Sequence, residues 1–177
     1  MIRCITLFLF SLLFINGLFA QSNFPASWAG VWQGDLYIYN KPTDPVKITM
    51  QLHIQATDSS NTWQWKIVYL LKDKSPDVRK YLLTTQDTTK GSYAIDELNG
   101  IVINAKYLGN TLITRFAVSN SLLLIKYSFN KESIDFEVIS GREDNKTETG
   151  NIPTTNVPPV FVYSIGNYQK ATLTKIQ

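Results

Sequence analysis

IVINAKYLGNTLITRFAVSNSLLLIKYSFNKESIDFEVIS, residues 101–140, decides the fold class of this chain. Apolar side chains recur at every second position along its segments, the period of a half-buried β-strand and not of a helix. Gly109-Asn110 and Ser119-Asn120 interrupt the pattern as two-residue connectors, and Gly and Asn tolerate the positive φ that tight hairpin turns require. Four segments follow one another in this way, Ile101–Leu108, Thr111–Val118, Ser121–Phe129 and Ser133–Ser140. Strands joined by such short turns are antiparallel neighbours.

The same period extends outward in both directions. In Gly30–Tyr39, the side chains of Trp32, Gly34, Leu36 and Ile38 share one face. Val46, Ile48, Met50, Leu52 and Ile54 form a second apolar row, opposed by Lys47, Thr49, Gln51, His53 and Gln55. Trp63, Trp65, Ile67 and Tyr69 form a third, and VRKYLLTT reads as a further strand. SYAIDELNG fits either a helical turn or a bent strand, GREDNKTETGN reads as a polar loop, and Pro159–Ile165 with Tyr168–Ile176 reads as a final hairpin around Gly166-Asn167. The expectation is an all-β chain of nine or ten strands, with one domain over residues 21–177. Short sequential hairpins favour an antiparallel up-and-down meander that closes into a barrel and so removes its edges. A two-sheet sandwich is the competing architecture.

Residues 1–20 have a different composition. Arg3 precedes an apolar run from Ile5 to Ile15, then Asn16-Gly17 and the small Ala20. That is the layout of a secretory signal peptide cleaved after Ala20, and the apolar run is short of the roughly 20 residues a membrane span needs. The expected location is the bacterial periplasm or exterior. The single cysteine, Cys4, falls inside this segment, so the domain that follows depends on its core and not on disulfides. The formal net charge of +3 is spread through the chain without a clustered basic footprint, which argues against a nucleic-acid partner.

Gly30-Val31-Trp32 near the start of the first strand, followed by an antiparallel meander, resembles the calycin superfamily of lipocalin-like and fatty-acid-binding-protein-like small barrels. The resemblance implies a closed barrel with a ligand-holding lumen. It also implies that Trp32, with Gly30, plugs the closed end beneath a basic residue from a late strand, for which Arg115 and Lys126 are the candidates. The Thr-Asp-Tyr motif of lipocalins and a C-terminal helix are absent from the sequence. Related haem-binding barrels use a histidine, whereas the only histidine, His53, lies on the polar face of its strand, so no haem or other cofactor is expected.

Candidate site residues come from the inward-facing rows. Trp63 and Trp65 stand about 6.5–7 Å apart along one face. Because Ile67 and Tyr69 continue that face, core or lumen lining suits the pair better than an exposed sugar-stacking platform. Trp63, Trp65, Tyr69, Phe116, Tyr127 and Phe136 are the expected lumen-lining, ligand-binding residues. Arg79 and Lys80 beside Tyr81 either meet an anionic group at the barrel mouth or form a solvated strand face.

Catalytic and metal chemistry find little support. A Ser-His-Asp set would need the outward His53, and Asp96-Glu97 point to opposite faces unless the turn redirects them. No zinc ligand set exists with one histidine, and Asp96, Glu97 and Asn99 lack calcium-loop spacing. The sequence therefore favours a non-enzymatic barrel binding a small apolar molecule. A packed β-domain serving as a structural or protein-interaction module at the cell surface is the alternative.

Overall fold

The computed structural model describes residues 23–177, so the expected signal segment at residues 1–20 lies outside the described residues. Ten strands close into an antiparallel barrel. They are β1 (Gly30–Tyr39), β2 (Val46–Ala56), β3 (Thr62–Leu70), β4 (Asp77–Asp87), β5 (Ser92–Asp96), β6 (Val102–Leu108), β7 (Thr111–Val118), β8 (Ser121–Phe129), β9 (Ser133–Arg142) and β12 (Asn167–Lys175). Each of the first nine pairs with its successor, and β12 closes the ring between β9 and β1. Between β9 and β12, β10 (Lys146–Ile152) and β11 (Val157–Tyr163) form a separate two-stranded ribbon.

The meander read from residues 101–140 is present as β6–β9. Gly109, Asn110, Ser119 and Asn120 all have positive φ, at 54°, 60°, 46° and 62°, which supplies the hairpin twist expected of them. SYAIDELNG resolves as β5 followed by a turn, in which Asp96 accepts from the backbone N–H of Leu98.

The C-terminal region departs from expectation. GREDNKTETGN is not simply a loop, because it contains β10, and β11 pairs with β10 instead of forming a hairpin with β12. The physical reason lies in Pro158 and Pro159. Proline cannot donate to a ladder and is confined to edges, and a closed barrel has no edge to offer. β11 is thereby excluded from the ring, while Gly166 donates its N–H to the Ser140 carbonyl and leads the chain back beside β9.

Residues paired directly across neighbouring strands present side chains to the same face. One inward ring runs Trp32–Leu52–Ile67–Arg79, and another runs Ile54–Trp65–Tyr81. On the far side, Thr114–Ile125–Val138–Gln169 and Leu112–Tyr127–Phe136–Ala171 continue the lining. Gly34 lets β1 approach β12, since a Cβ there would stand 2.2 Å from the carbonyl oxygen of Thr172.

One end of the barrel is filled. A short 3-10 turn at Ala26–Trp28 leads into β1 and carries Trp28 across the opening. Trp28 stacks on Phe129 with ring centroids 5.4 Å apart and meets Phe24 edge-on at 4.7 Å. Phe24 stacks on Tyr107 at 4.3 Å. Below them, the indole N–H of Trp32 donates to the Trp28 carbonyl at 2.8 Å.

Trp32 thus occupies the closed end, but Arg115 is not its basic neighbour. Lys175, paired opposite Trp32 on β12, holds its ammonium 5.6 Å from the indole centroid, within cation–π range. Arg115 follows the buried Thr114 and therefore points outward, and Lys126 precedes the buried Tyr127 and also points outward. Gly30, with φ 138°, has no room for a side chain, because a Cβ would lie 2.5 Å from the backbone carbonyl oxygen of Gln177 as well as 2.4 Å from the Lys175 side chain.

Candidate functional site

At the opposite end the inward rows enclose a cavity of about 260 Å³. Trp65, Ile67 and Tyr69 from β3 form one wall, and Phe116, Tyr127 and Phe136 form another. Five of the six expected lumen residues therefore line one space. Trp63 does not: it is half-buried against the core near the closed end and is absent from the cavity wall. Its pairing with Leu83 and Ala56 places it one inward position nearer the plug than Trp65.

The aromatic wall is interlocked. Tyr127 meets Trp65 edge-on at 5.1 Å and Phe136 at a 42° tilt with centroids 5.0 Å apart. Such offset and edge contacts match the ring quadrupoles and hold the wall in a defined shape. Burial drives the Tyr127 phenol far above its ordinary pKa, and burial also raises Tyr69 and Tyr81. These phenols stay protonated through the working pH range.

Among the described residues the fully buried Trp65 indole N–H has no hydrogen-bond partner of good geometry. It opposes the rise of the Tyr127 pKa, which places the two groups close together, yet it lacks hydrogen-bond geometry toward that hydroxyl. An unsatisfied buried donor costs about 1–3 kcal/mol. Thr114, 3% exposed, adds a hydroxyl-bearing side chain to the same lining.

The rim is polar. Arg79 lines the cavity because it pairs with Ile67, while Lys80 alternates to the outer face. The Arg79 guanidinium lies 5.4 Å from the Tyr69 ring centroid and forms an ion pair with Asp77 at 3.2 Å. Glu97 and Gln169 complete the polar lining. Sequence reasoning raised Arg79 at the barrel mouth, considered Glu97 only as an acid or calcium ligand, and missed Thr114 and Gln169. Alternation from Phe116 would have found Thr114, since residues two apart share a face.

The remaining sequence candidates do not converge. His53 lies outside, 2.9 Å from Gln51, with its pKa lowered by desolvation and by Lys66. Asp96 caps a turn while Glu97 turns toward the cavity rim and accepts from Asn99. Among the described residues no three His, Cys, Asp or Glu side chains gather as a metal site.

A larger depression, about 710 Å³, runs over the outer face of β1, β12 and β9. Its carboxylates are already engaged. Glu137 accepts from Lys126 and Tyr168, Asp135 from Thr172 and Asn130, and Asp35 pairs with Lys47. That self-satisfied surface offers less to a ligand than the lumen does.

Two solved structures share the fold. A protein of unknown function from the DUF3598 family of Nostoc punctiforme aligns with a TM-score of 0.59 at 11% identity over 85% of this chain. The match covers 48% of that protein, so this chain spans about half its length. The S-type phycobiliprotein lyase CpeS from Guillardia theta aligns with a TM-score of 0.56 at 8% identity, covering 86% of this chain and 90% of the lyase. Identities this low establish a common barrel architecture and nothing narrower. No protein-family model and no curated protein sequence matches the chain.

Proposed function

We propose that this protein is a secreted or periplasmic, non-enzymatic barrel that binds a small apolar molecule in its lumen. The carrying observation is the 260 Å³ cavity walled by Trp65, Tyr69, Phe116, Tyr127 and Phe136 at one end of a barrel filled at the other. Its volume sits just under the usual range for drug-sized ligands, about 300–1,000 Å³, so the ligand is compact. The shared fold with a phycobiliprotein lyase is compatible with this reading and does not carry it. Export is proposed from the N-terminal sequence alone; mass spectrometry of the secreted product would find Gln21 as its first residue, and an intact Met1 would oppose export.

Thermal melting and calorimetric titration with a panel running from benzene-sized to long-chain compounds test the binding. Saturable binding and a raised Tm are expected with one- and two-ring compounds, and weaker effects with long chains. No binding across the panel would remove the proposal.

A second reading, an interaction module, is favoured by the β10–β11 ribbon. Val160, Phe161 and Val162 are each about half exposed there, and Ile165 is 71% exposed. Deleting the ribbon separates the two readings, because lumen binding would survive the deletion and partner binding would not.

A further inference from the structure

The lumen is apolar, but three of its lining residues carry polar groups: the indole N–H of Trp65, itself buried, and the hydroxyls of Thr114 and Tyr127. Buried polar groups in native proteins are nearly always hydrogen-bonded, so the orphaned Trp65 N–H calls for a partner. Trp28 is the other buried indole without one among the described residues, and the two differ in surroundings. Trp28 is enclosed by the rings of Phe24, Tyr107 and Phe129, with Trp65 itself at 6.4 Å on a further side, and lines none of the cavities described above. Trp65 lines a space that a ligand can enter.

The charge state of that ligand follows from the rim. Arg79 is already neutralised by Asp77, and Glu97 adds a second carboxylate. An anion would meet more negative than positive charge on the way in. Among the described residues the only charged side chains lining the cavity are Arg79 and Glu97 at the rim, so none stands with Trp65, Thr114 and Tyr127 to compensate the desolvation of an ion, and burying an unpaired charge is strongly unfavourable. Size is bounded too: 260 Å³ equals roughly nine water molecules' share of liquid volume.

We infer that the lumen selects a compact, uncharged ring compound bearing a hydrogen-bond-accepting oxygen, which enters oxygen-first and accepts from Trp65 Nε1. This deepens the lumen-binding reading and rests on it. The high phenol pKa of Tyr127 keeps that neighbour neutral and able to donate to the same oxygen.

Calorimetric titration of the full domain with 2-acetylnaphthalene, 2-ethylnaphthalene and 2-naphthoate tests the inference, because the three share a ring system and differ in the acceptor and the charge. The acetyl compound is expected to bind at least five-fold tighter than the other two. In Trp65→Phe, which keeps an aromatic wall and removes the donor, the preference for acetyl over ethyl is expected to disappear. In the unaltered protein, the Trp65 indole N–H resonance should move downfield with the acetyl compound and much less with the ethyl one, a readout that does not depend on the variant folding. Equal binding of acetyl and ethyl compounds would overturn the acceptor inference while leaving lumen binding intact. Tightest binding of the naphthoate would overturn the requirement for a neutral ligand. Failure of all three to bind would overturn the lumen reading itself, and this inference with it.

Discussion

The two ends of the barrel use the same residue types for different ends. At the closed end Trp28, Trp32, Phe24 and Phe129 touch one another, and the Trp32 N–H is satisfied by the Trp28 carbonyl. At the open end Trp65, Tyr127 and Phe136 also touch, but they surround a space, and the Trp65 N–H is left over. The difference arises from what enters the barrel. The turn at Ala26–Trp28 delivers a ring into one end, whereas among the described residues no corresponding segment fills the other. Aromatic lining by itself is therefore ambiguous between core and pocket, and the plug decides which it becomes.

Substitutions at the two ends should diverge in cost. Trp28→Ala is expected to lose about 3–5 kcal/mol in urea unfolding, the range for truncating a fully buried large aromatic. Phe116→Ala, on the wall of an existing space, should lose about 1–2 kcal/mol, because fewer packing atoms surround it. Equal losses would mean that the open end is as tightly filled as the closed one.

Gly34→Ala probes the seam that carries both ends. Its Cβ would press on the Thr172 carbonyl, which is backbone and cannot swing aside, so about 1–3 kcal/mol of destabilisation is expected. A Tm unchanged by this substitution would show that β1 and β12 can separate freely.

The outer face should matter less. Hydrogen bonds from Lys126 and Tyr168 hold the Glu137 pKa below the ordinary carboxylate range. A depressed folded-state pKa contributes stability above the unfolded carboxylate pKa, and that contribution is lost as pH falls through the folded value. Glu137→Gln should therefore cost a few tenths of a kcal/mol near neutrality, since the partly exposed pair is screened by solvent, with the difference fading in acid. A penalty that grew on acidification would contradict the assignment. Smallest of all is the expected effect of replacing residues 146–163 with a two-residue turn. The ribbon's residues are solvent-exposed on both strands, so the melting of the barrel should shift by no more than about 0.5 kcal/mol.

Much of this was legible because alternation is a local property. The inward rows of β1, β2, β3 and β7–β9 follow from counting by twos, and the Gly109-Asn110 and Ser119-Asn120 turns follow from their φ requirements. The same counting excludes Arg115 from the interior once Phe116 is placed there, and it admits Lys175 through the buried Leu173. What alternation does not encode is partner choice. β11 reads locally as one arm of a hairpin with β12, and only the absence of edges in a closed barrel turns Pro158-Pro159 into a reason for it to pair elsewhere. The cavity was equally invisible, because its existence depends on which ends of the lining rows are plugged.

The four tryptophan indole N–H resonances test the contrast between the two ends most directly, with each peak assigned by its loss in a Trp→Phe variant. During titration with naphthalene, the Trp65 peak should shift progressively to saturation, while Trp28 and Trp32 stay within a small fraction of that change. Comparable shifts at Trp28 and Trp32, or none at Trp65 at saturating probe, would contradict a barrel that is filled at one end and receptive at the other.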